Sequence, residues 1–498
     1  MKKLTINNYA INNNVFNYKV RSTQSCSLLI GKLLIIVWVL SFGFPVFAET
    51  RNPAVAGSFY PADKTELSSQ INAFLQNVPP SKTKGDIVAL IAPHAGYPFS
   101  GQVAAYAYKE LEARSFDRVI IIGASHHMSY DGMALPDYDS FLTPLGKVPV
   151  DKNFINQLKK FSPKFIADNK PHIEEHSIEV HLPFLQTILK DFKIVPILFG
   201  NISVANCQAL AYALSLLVDD RTLIVLSSDW SHYYPYDTAN KLDNRGTDLV
   251  VKGDLIGFIK GLEQGECEAC GAPAIITAMM AAPALGVNKI ELLKYANSGD
   301  VTGDKSKVVG YAAIVFSRLE SVLSDADKDQ LLKIARKTIE ALLSGNKTPV
   351  FKIEQEALLE KRGAFVTLTE EGRLRGCIGY IQPIQPLAQA VQEMAAAAAT
   401  KDSRFEPVAK SELKNIKMEI SVLSRLKKIK DIQEIEIGRD GLYIIRGDRS
   451  GLLLPQVAAE WGWDRDQFLK QVCIKAGLPE DAWKTSDLYR FSAQVFHE

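Results

Sequence analysis

From about residue 85 to 317, short apolar runs rich in β-branched residues alternate with stretches whose apolar residues recur at helical spacing. The runs are DIVALIA (86–92), RVIIIGA (118–124), KIVPILF (193–199), LIVLSS (223–228), IELLKYA (290–296) and VVGYAAIVF (308–316). Between them lie QVAAYAYKELE, PFLQTILKD, CQALAYALSLLV and APAIITAMMAA. A strand that is apolar along its whole length is covered on both faces, so this alternation predicts an α/β fold with a mostly parallel central sheet flanked by helices. After FSRLESVLSDADKDQ the pattern changes. DADKDQLLKIARKTIEALLSG opens on capping aspartates and stops at a glycine, as a helix does. GAFVTLTEEGRLRGCIGYI then reads as two β-rich arms around an EEGR turn, and GLYIIRGDRSGLLL as a second hairpin. We expect a smaller α+β domain over 323–498 after an α/β domain over 49–322. A length of 498 residues accommodates two such units at about 150 residues or more each.

The amino terminus differs from both. Residues 1–48 contain no Asp or Glu, carry Lys2, Lys3, Lys19, Arg21 and Lys32, and end in LLIIVWVLSFGFPVFA before Glu49. The apolar stretch is shorter than the roughly 20 residues needed to span a bilayer, and it ends in small-residue cleavage chemistry at Ala48. The expectation is an export signal over 1–48, a periplasmic mature chain and no stable membrane span after cleavage; an uncleaved anchor and a cytoplasmic chain are the alternatives. A net charge of +1 offers no basic field for nucleic acid. The cysteines beyond the signal, Cys207, Cys267, Cys270, Cys377 and Cys473, are too sparse for a disulfide framework. Only Cys267 and Cys270 are near enough in sequence to act as a redox pair.

Seven of the eight histidines fall between residues 94 and 232. Three polar loops follow apolar strands in the same way: DIVALIAPHAGY carries His94, RVIIIGASHH carries His126 and His127, and LIVLSSDWSHY carries Asp229 and His232. Ligands of open α/β sheets bind beyond the carboxyl ends of the strands, so these loops can meet in one crevice. Two imidazoles with one anionic donor, leaving coordination positions open, is a pattern of catalytic metal sites. Asp229 suits either an oxygen ligand or a charge partner for a histidine, and His232 can stay unligated as an acid or base. In IEEHSIEVHLPF, Glu174, Glu175, His176, Glu179 and His181 read as partners that orient the ligating imidazoles or face substrate. Cys270, just before an apolar helix, is a candidate thiolate ligand or nucleophile.

AGSFYPA, APHAGYPFSG, GASHH, EEHSIEVHLPF, SSDWSHY and CGAPAI, in that order, resemble the Memo family over about residues 51–318. The resemblance implies a fold similar to class III extradiol ring-cleaving dioxygenases, which hold iron(II) with two histidines and a glutamate. Carried over by motif, it implies that His94 and His126 are metal ligands and that Cys270 stands where those enzymes have the glutamate. Asp229 and His232 then handle protons, and His127 is a structural neighbour. A thiolate in place of a carboxylate opens the site to copper or zinc as well as iron(II) and puts ring cleavage in doubt. LRGCIGYI, DSRFEPV and LLPQVAAEWGW look like the AMMECR-type domain, with Arg375 and Cys377 as its candidate residues. The two domains together resemble the B and A proteins of the AmmeMemoRadiSam system, which implies a radical-SAM protein as partner. The expectation is a non-haem metal-binding redox protein acting on a small molecule; a scaffold without turnover and a zinc-assisted hydrolase are the alternatives.

Overall fold

The computed structural model describes residues 49–81 and 83–498. The export signal expected over 1–48 lies outside the described residues. The chain divides into two compact units, one running up to Val218 and resuming over Thr222–Ser317, the other formed by Arg318–Glu498 with Asp219–Arg221.

The first unit is built on a nine-stranded mixed sheet. Its main strands are β1 (Asp86–Ala92), β2 (Arg118–Ala124), β3 (Lys193–Phe199), β4 (Thr222–Ser227) and β5 (Val308–Arg318), in the order β5-β1-β4-β2-β3. The inner four pair in parallel, β1 with β4, β4 with β2 and β2 with β3. Antiparallel pairing enters at the edges, where His232–Tyr234 and Lys289–Asn297 flank β5 and Met133–Leu135 flanks β3. This gradient follows from burial. Residues 87–92, 119–123 and 194–199 are buried without interruption, whereas Lys289–Asn297 is half-buried or exposed up to its last residue. Each fully buried Ile, Leu or Val contributes about 1.5–3 kcal/mol, so the continuous runs hold the centre. The helices Lys64–Gln76 and Tyr97–Lys109 pack as one pair, Val204–Leu217 and Ala272–Ala281 as another.

The second unit has two antiparallel four-stranded sheets. One orders Arg373–Tyr380, Ala364–Glu370, Ile416–Leu423 and Ala493–His497; the other contains the hairpin Gly441–Arg446 and Arg449–Leu453. The EEGR turn is a two-residue loop with Glu371 and Gly372 both at positive φ, 52° and 79°, the geometry that matches strand twist in a hairpin. The alanine-rich helix Leu387–Thr400 lies against this hairpin. A β-carbon on Gly376 would stand 2.1 Å from the Ala398 carbonyl oxygen, and one on Gly379 would stand 2.3 Å from the Phe365 ring. The glycines of RGCIG therefore admit a helix and a ring from the protein itself, not a ligand. Among the described residues, no helix of either unit is long and apolar enough to cross a membrane.

Candidate metal centre

Three of the inner strands end on the groups that form the centre. β1 runs into Pro93 and His94, β2 into Ser125 and His126, and β4 into Ser228 and Asp229. Backbone bonds lock these ends together: Ser228 N–H donates to the Ala92 carbonyl at 3.1 Å and Ser125 N–H to that of Phe199 at 2.8 Å. Cys270 arrives at the head of the helix Ala272–Ala281, its amide donating to the Asp229 carbonyl at 3.1 Å. The helix approaches so closely because of Gly271, where a β-carbon would lie 2.2 Å from the Ser227 carbonyl oxygen.

The donor atoms of His94, His126 and Cys270 all lie within 4.8 Å of one another. Cys270 Sγ is 3.3 Å from His94 Nε2. Donors bound at about 2.0–2.3 Å lie at most about 4.5 Å apart across one ion, so the cluster fits a shared ion to within a few tenths of an ångström. The imidazoles are oriented for it. Ser227 Oγ gives its proton to the Ser177 carbonyl at 2.6 Å and so accepts from His94 Nδ1–H at 2.7 Å, which leaves the Nε2 lone pair free. His126 Nδ1 is 2.9 Å from Glu175 Oε1, and the His126 amide donates to Oε2 at 2.6 Å. A carboxylate or hydroxyl holding the far nitrogen of a ligating histidine is the usual support of a metal ligand.

The electrostatics follow from burial and neighbours. His94 is 2% exposed, and desolvation with the surrounding imidazoles drives its pKa well below the usual histidine value. The His126 side chain is 30% exposed; its partial desolvation disfavours charge, but the hydrogen bond and charge of Glu175 outweigh it and the pKa rises. Burial pushes Asp229 up to about 7 against the pull of the His94 and Ala95 amides. Its Oδ1 accepts the His94 amide at 2.8 Å, and its Oδ2 lies 3.9 Å from His94 Nε2. Burial and the Asp229 charge raise the Cys270 thiol far above its ordinary value; an ion must therefore displace a proton to bind the sulfur. His232 is half-buried on the strand after β4, its pKa lowered by desolvation, near enough for its charge to act on His94.

The acidic segment divides its residues differently from expectation. Glu175 is the carboxylate that holds an imidazole. Glu179 holds none: it is fully buried and accepts from Arg51, from Tyr60 Oη at 2.5 Å, and from the amides of Ala54 and Val55 at 2.7 and 3.1 Å. It pins the amino-terminal segment. His176 lies beside the cluster, its ring 4.6 Å from that of His126 and 5.3 Å from that of His94. His181 is buried with the Tyr108 hydroxyl 2.7 Å from Nδ1, part of the support beneath the site. His127 is exposed, its ring 6.4 Å from that of His176. Ser227, in the motif SSDWSHY, was not singled out from the sequence, since a serine after an apolar strand gives no sign of which ring it will meet. All described cysteines are free. Cys267 is buried against the helix Leu255–Gln264, where a β-carbon on Gly261 would meet its sulfur at 2.9 Å, while Cys270 faces His94.

In the second unit Arg375 is engaged by protein groups: Nε and Nη2 donate to Glu412 at 2.7 and 3.1 Å, and Nη1 to the Glu406 carbonyl at 2.6 Å. Cys377 is half-buried, its amide bound to Asp402 at 2.8 Å and its sulfur accepting from Thr367 Oγ1 at 3.2 Å. Both tie the strand Arg373–Tyr380 to the 402–412 loop or to its neighbouring strand.

A family model described as Memo-like protein matches residues 51–315, more than half of the 498-residue chain. The chain belongs to the Memo family. A second model, AMMECR1, matches residues 332–496. The MEMO1 family protein MK0963 of Methanopyrus kandleri is 38% identical over 280 residues, covering 54% of this chain and 99% of its own length. A MEMO1 family protein of Nitrosopumilus maritimus is 37% identical over 272 residues, covering 53% and 99%. The crystal structure of the uncharacterised protein PH0010 from Pyrococcus horikoshii is 42% identical over 34% of this chain and 89% of its own, with a TM-score of 0.33, too low to bear on the fold. These Memo relatives match about half of this chain along nearly their whole length, so the AMMECR1 unit is an addition relative to them.

Proposed function

We propose that this Memo-family chain is a metal-dependent redox protein in which His94, His126 and Cys270 hold one transition-metal ion, iron(II) first among the candidates, beside a site for a small molecule. The observation that carries this reading is the convergence of two imidazoles and a thiol from three separate segments to within 4.8 Å, each imidazole with its Nδ1 already occupied. An ion there would supply Lewis acidity and one-electron chemistry at the positions these three donors leave open. Asp229, with Oδ2 3.9 Å from His94 Nε2, is placed to store and return a proton beside the centre; burial raises its pKa to about 7 in the metal-free protein, and a bound cation would lower it from there. His232 stays neutral at pH 7 because burial disfavours its charged form, which leaves it ready to accept one. Ser227 and Glu175 keep both ligating rings in one orientation and one tautomer.

The soft thiolate keeps copper and zinc in competition with iron, and a zinc-loaded site would favour water activation instead. The fusion to an AMMECR1 unit supports a shared pathway with a radical-SAM protein, and the amino-terminal 48 residues support export. The test is elemental analysis of anaerobically purified full-length protein beside a His94→Ala, Cys270→Ala double variant. Stoichiometric iron in the wild type, lost in the variant, supports the proposal. Equal and negligible metal in both proteins overturns it, and zinc alone in the wild type moves the reading to hydrolysis.

A further inference from the structure

Next to the candidate centre, a cleft of about 550 Å³ is lined by Ala54, Val55, Phe59, Ile173, Glu174 and the imidazoles of His126, His127 and His176. Ala54, Val55, Phe59 and Ile173 give it an apolar portion beside the imidazoles. Ile173 is 53% exposed although it is a large aliphatic residue, and the Phe59 ring stands 4.8 Å from that of His176. Both walls are fixed in place. Arg51 Nε donates to the His172 carbonyl at 2.9 Å and Nη2 to that of Glu175 at 2.6 Å, bracketing Ile173 and Glu174. Glu179 holds the amides of Ala54 and Val55. Of the glutamates in this segment, Glu175 and Glu179 are buried and saturated with donors, whereas Glu174 is exposed and has no hydrogen-bond or ion-pair partner among the described residues. Among the described residues it is, apart from the histidines, the only ionisable group lining the cleft.

We infer that this cleft binds a small molecule with a flat apolar ring and a cationic amine, the ring between Phe59 and Ile173 and the amine at Glu174. Ring faces and aliphatic edges select planar apolar bodies. An unpaired carboxylate at the rim favours a positive head group and repels a negative one. Rigid walls reduce the ordering that binding demands. The inference deepens the proposed function, because it names the class of molecule presented to the centre, but the contacts it uses involve no ion.

The test is calorimetric titration of the full chain with 2-phenylethylamine and with phenylacetate, in metal-loaded and chelator-treated protein, for wild type, Glu174→Gln and Ile173→Ala. For the wild type we expect the amine to bind tighter than the acid by roughly fivefold, the upper size of one exposed charge interaction. Glu174→Gln should bring the two ligands to within about twofold, and Ile173→Ala should weaken both alike. Equal binding of the acid, binding of neither compound, or a preference that survives Glu174→Gln overturns the inference. So does a preference confined to metal-loaded protein, which would place the amine at the ion. A preference present in chelator-treated protein, together with a wild type that retains no metal, leaves this inference standing while the metal-centre reading fails.

Discussion

Replacing Glu175 by glutamine separates the orientation of a ligand from the stability of the fold. The carboxylate is 1% exposed and accepts four N–H groups: His126 Nδ1 at 2.9 Å and the amides of His126, His176 and Ser177 at 2.6, 3.0 and 2.9 Å. Burial alone would raise its pKa, yet the charge and hydrogen bonds of His126, with the Ser177 amide, bring it down to about 2 from an ordinary 4.5. At about 1.4 kcal/mol per unit the carboxylate form is favoured by roughly 3 kcal/mol. Glutamine keeps the shape but loses the charge, and its NH2 group faces donors it cannot serve. Substitutions of groups that support metal ligands weaken metal binding by about 10–100-fold. Glu175→Gln should therefore loosen the metal by about 1.4–2.7 kcal/mol.

Glu179→Gln is the control: it is the same exchange four residues away, in a carboxylate equally buried but bound to Arg51, Tyr60 and two amides. Removing one member of a buried ion pair costs about 3–5 kcal/mol of stability, but no ring orientation depends on it. Chelator competition gives the metal affinity of each variant, and urea unfolding of metal-free protein gives the stability. Affinity unchanged in Glu175→Gln, or reduced equally in both variants, would refute the reasoning.

Burial lowers the pKa of His172 to about 3. Its folded form therefore stays neutral, while the unfolded chain takes up a proton below about 6.5; stability falls as pH drops from that value toward 3, by about 1.4 kcal/mol per unit. His94, His176 and His181 are lowered in the same way, so His172→Gln should reduce the stability lost between pH 7 and 5 in urea melts by about 2 kcal/mol, the share of one such histidine, and leave the rest; an unchanged loss would clear this residue of the effect. Gly376→Ala would force a β-carbon to 2.1 Å from the Ala398 carbonyl and should cost the second unit about 3 kcal/mol in thermal or urea unfolding; a loss well under 1 kcal/mol would mean that the helix yields. Exported protein should begin at Glu49, whose nitrogen lies 2.8 Å from Asp139 Oδ2 and would become an ammonium paired with it on cleavage. Intact-mass measurement showing residues 1–48 retained contradicts the export reading.

The inner parallel strands were legible because burial imposes a local signature, whereas the antiparallel pairing of Lys289–Asn297 with β5 was not. DIVALIA, RVIIIGA and KIVPILF coincide with β1, β2 and β3 residue for residue, since a run with no polar interruption cannot lie at a surface. The positions of His94, His126 and Asp229, each two residues past a strand, were legible for the same reason: the polar residue marks where the covered sheet stops. The partners of these groups were not. Glu175 and Glu179 sit in one acidic segment of similar local character, and one orients His126 while the other grips Arg51. Ser227 acquires its role only because the Ser177 carbonyl, fifty residues away, takes its proton. The Cys-x-x-Cys spacing suggested a pair, yet the chain turns so that Cys267 enters the apolar core and Cys270 faces His94. Local patterning decides which residues are buried, because solvent acts on each position separately. Which buried group meets which depends on strand order and on glycines that permit close approach, so those pairings were settled only when the tertiary structure brought distant segments to hydrogen-bonding distance.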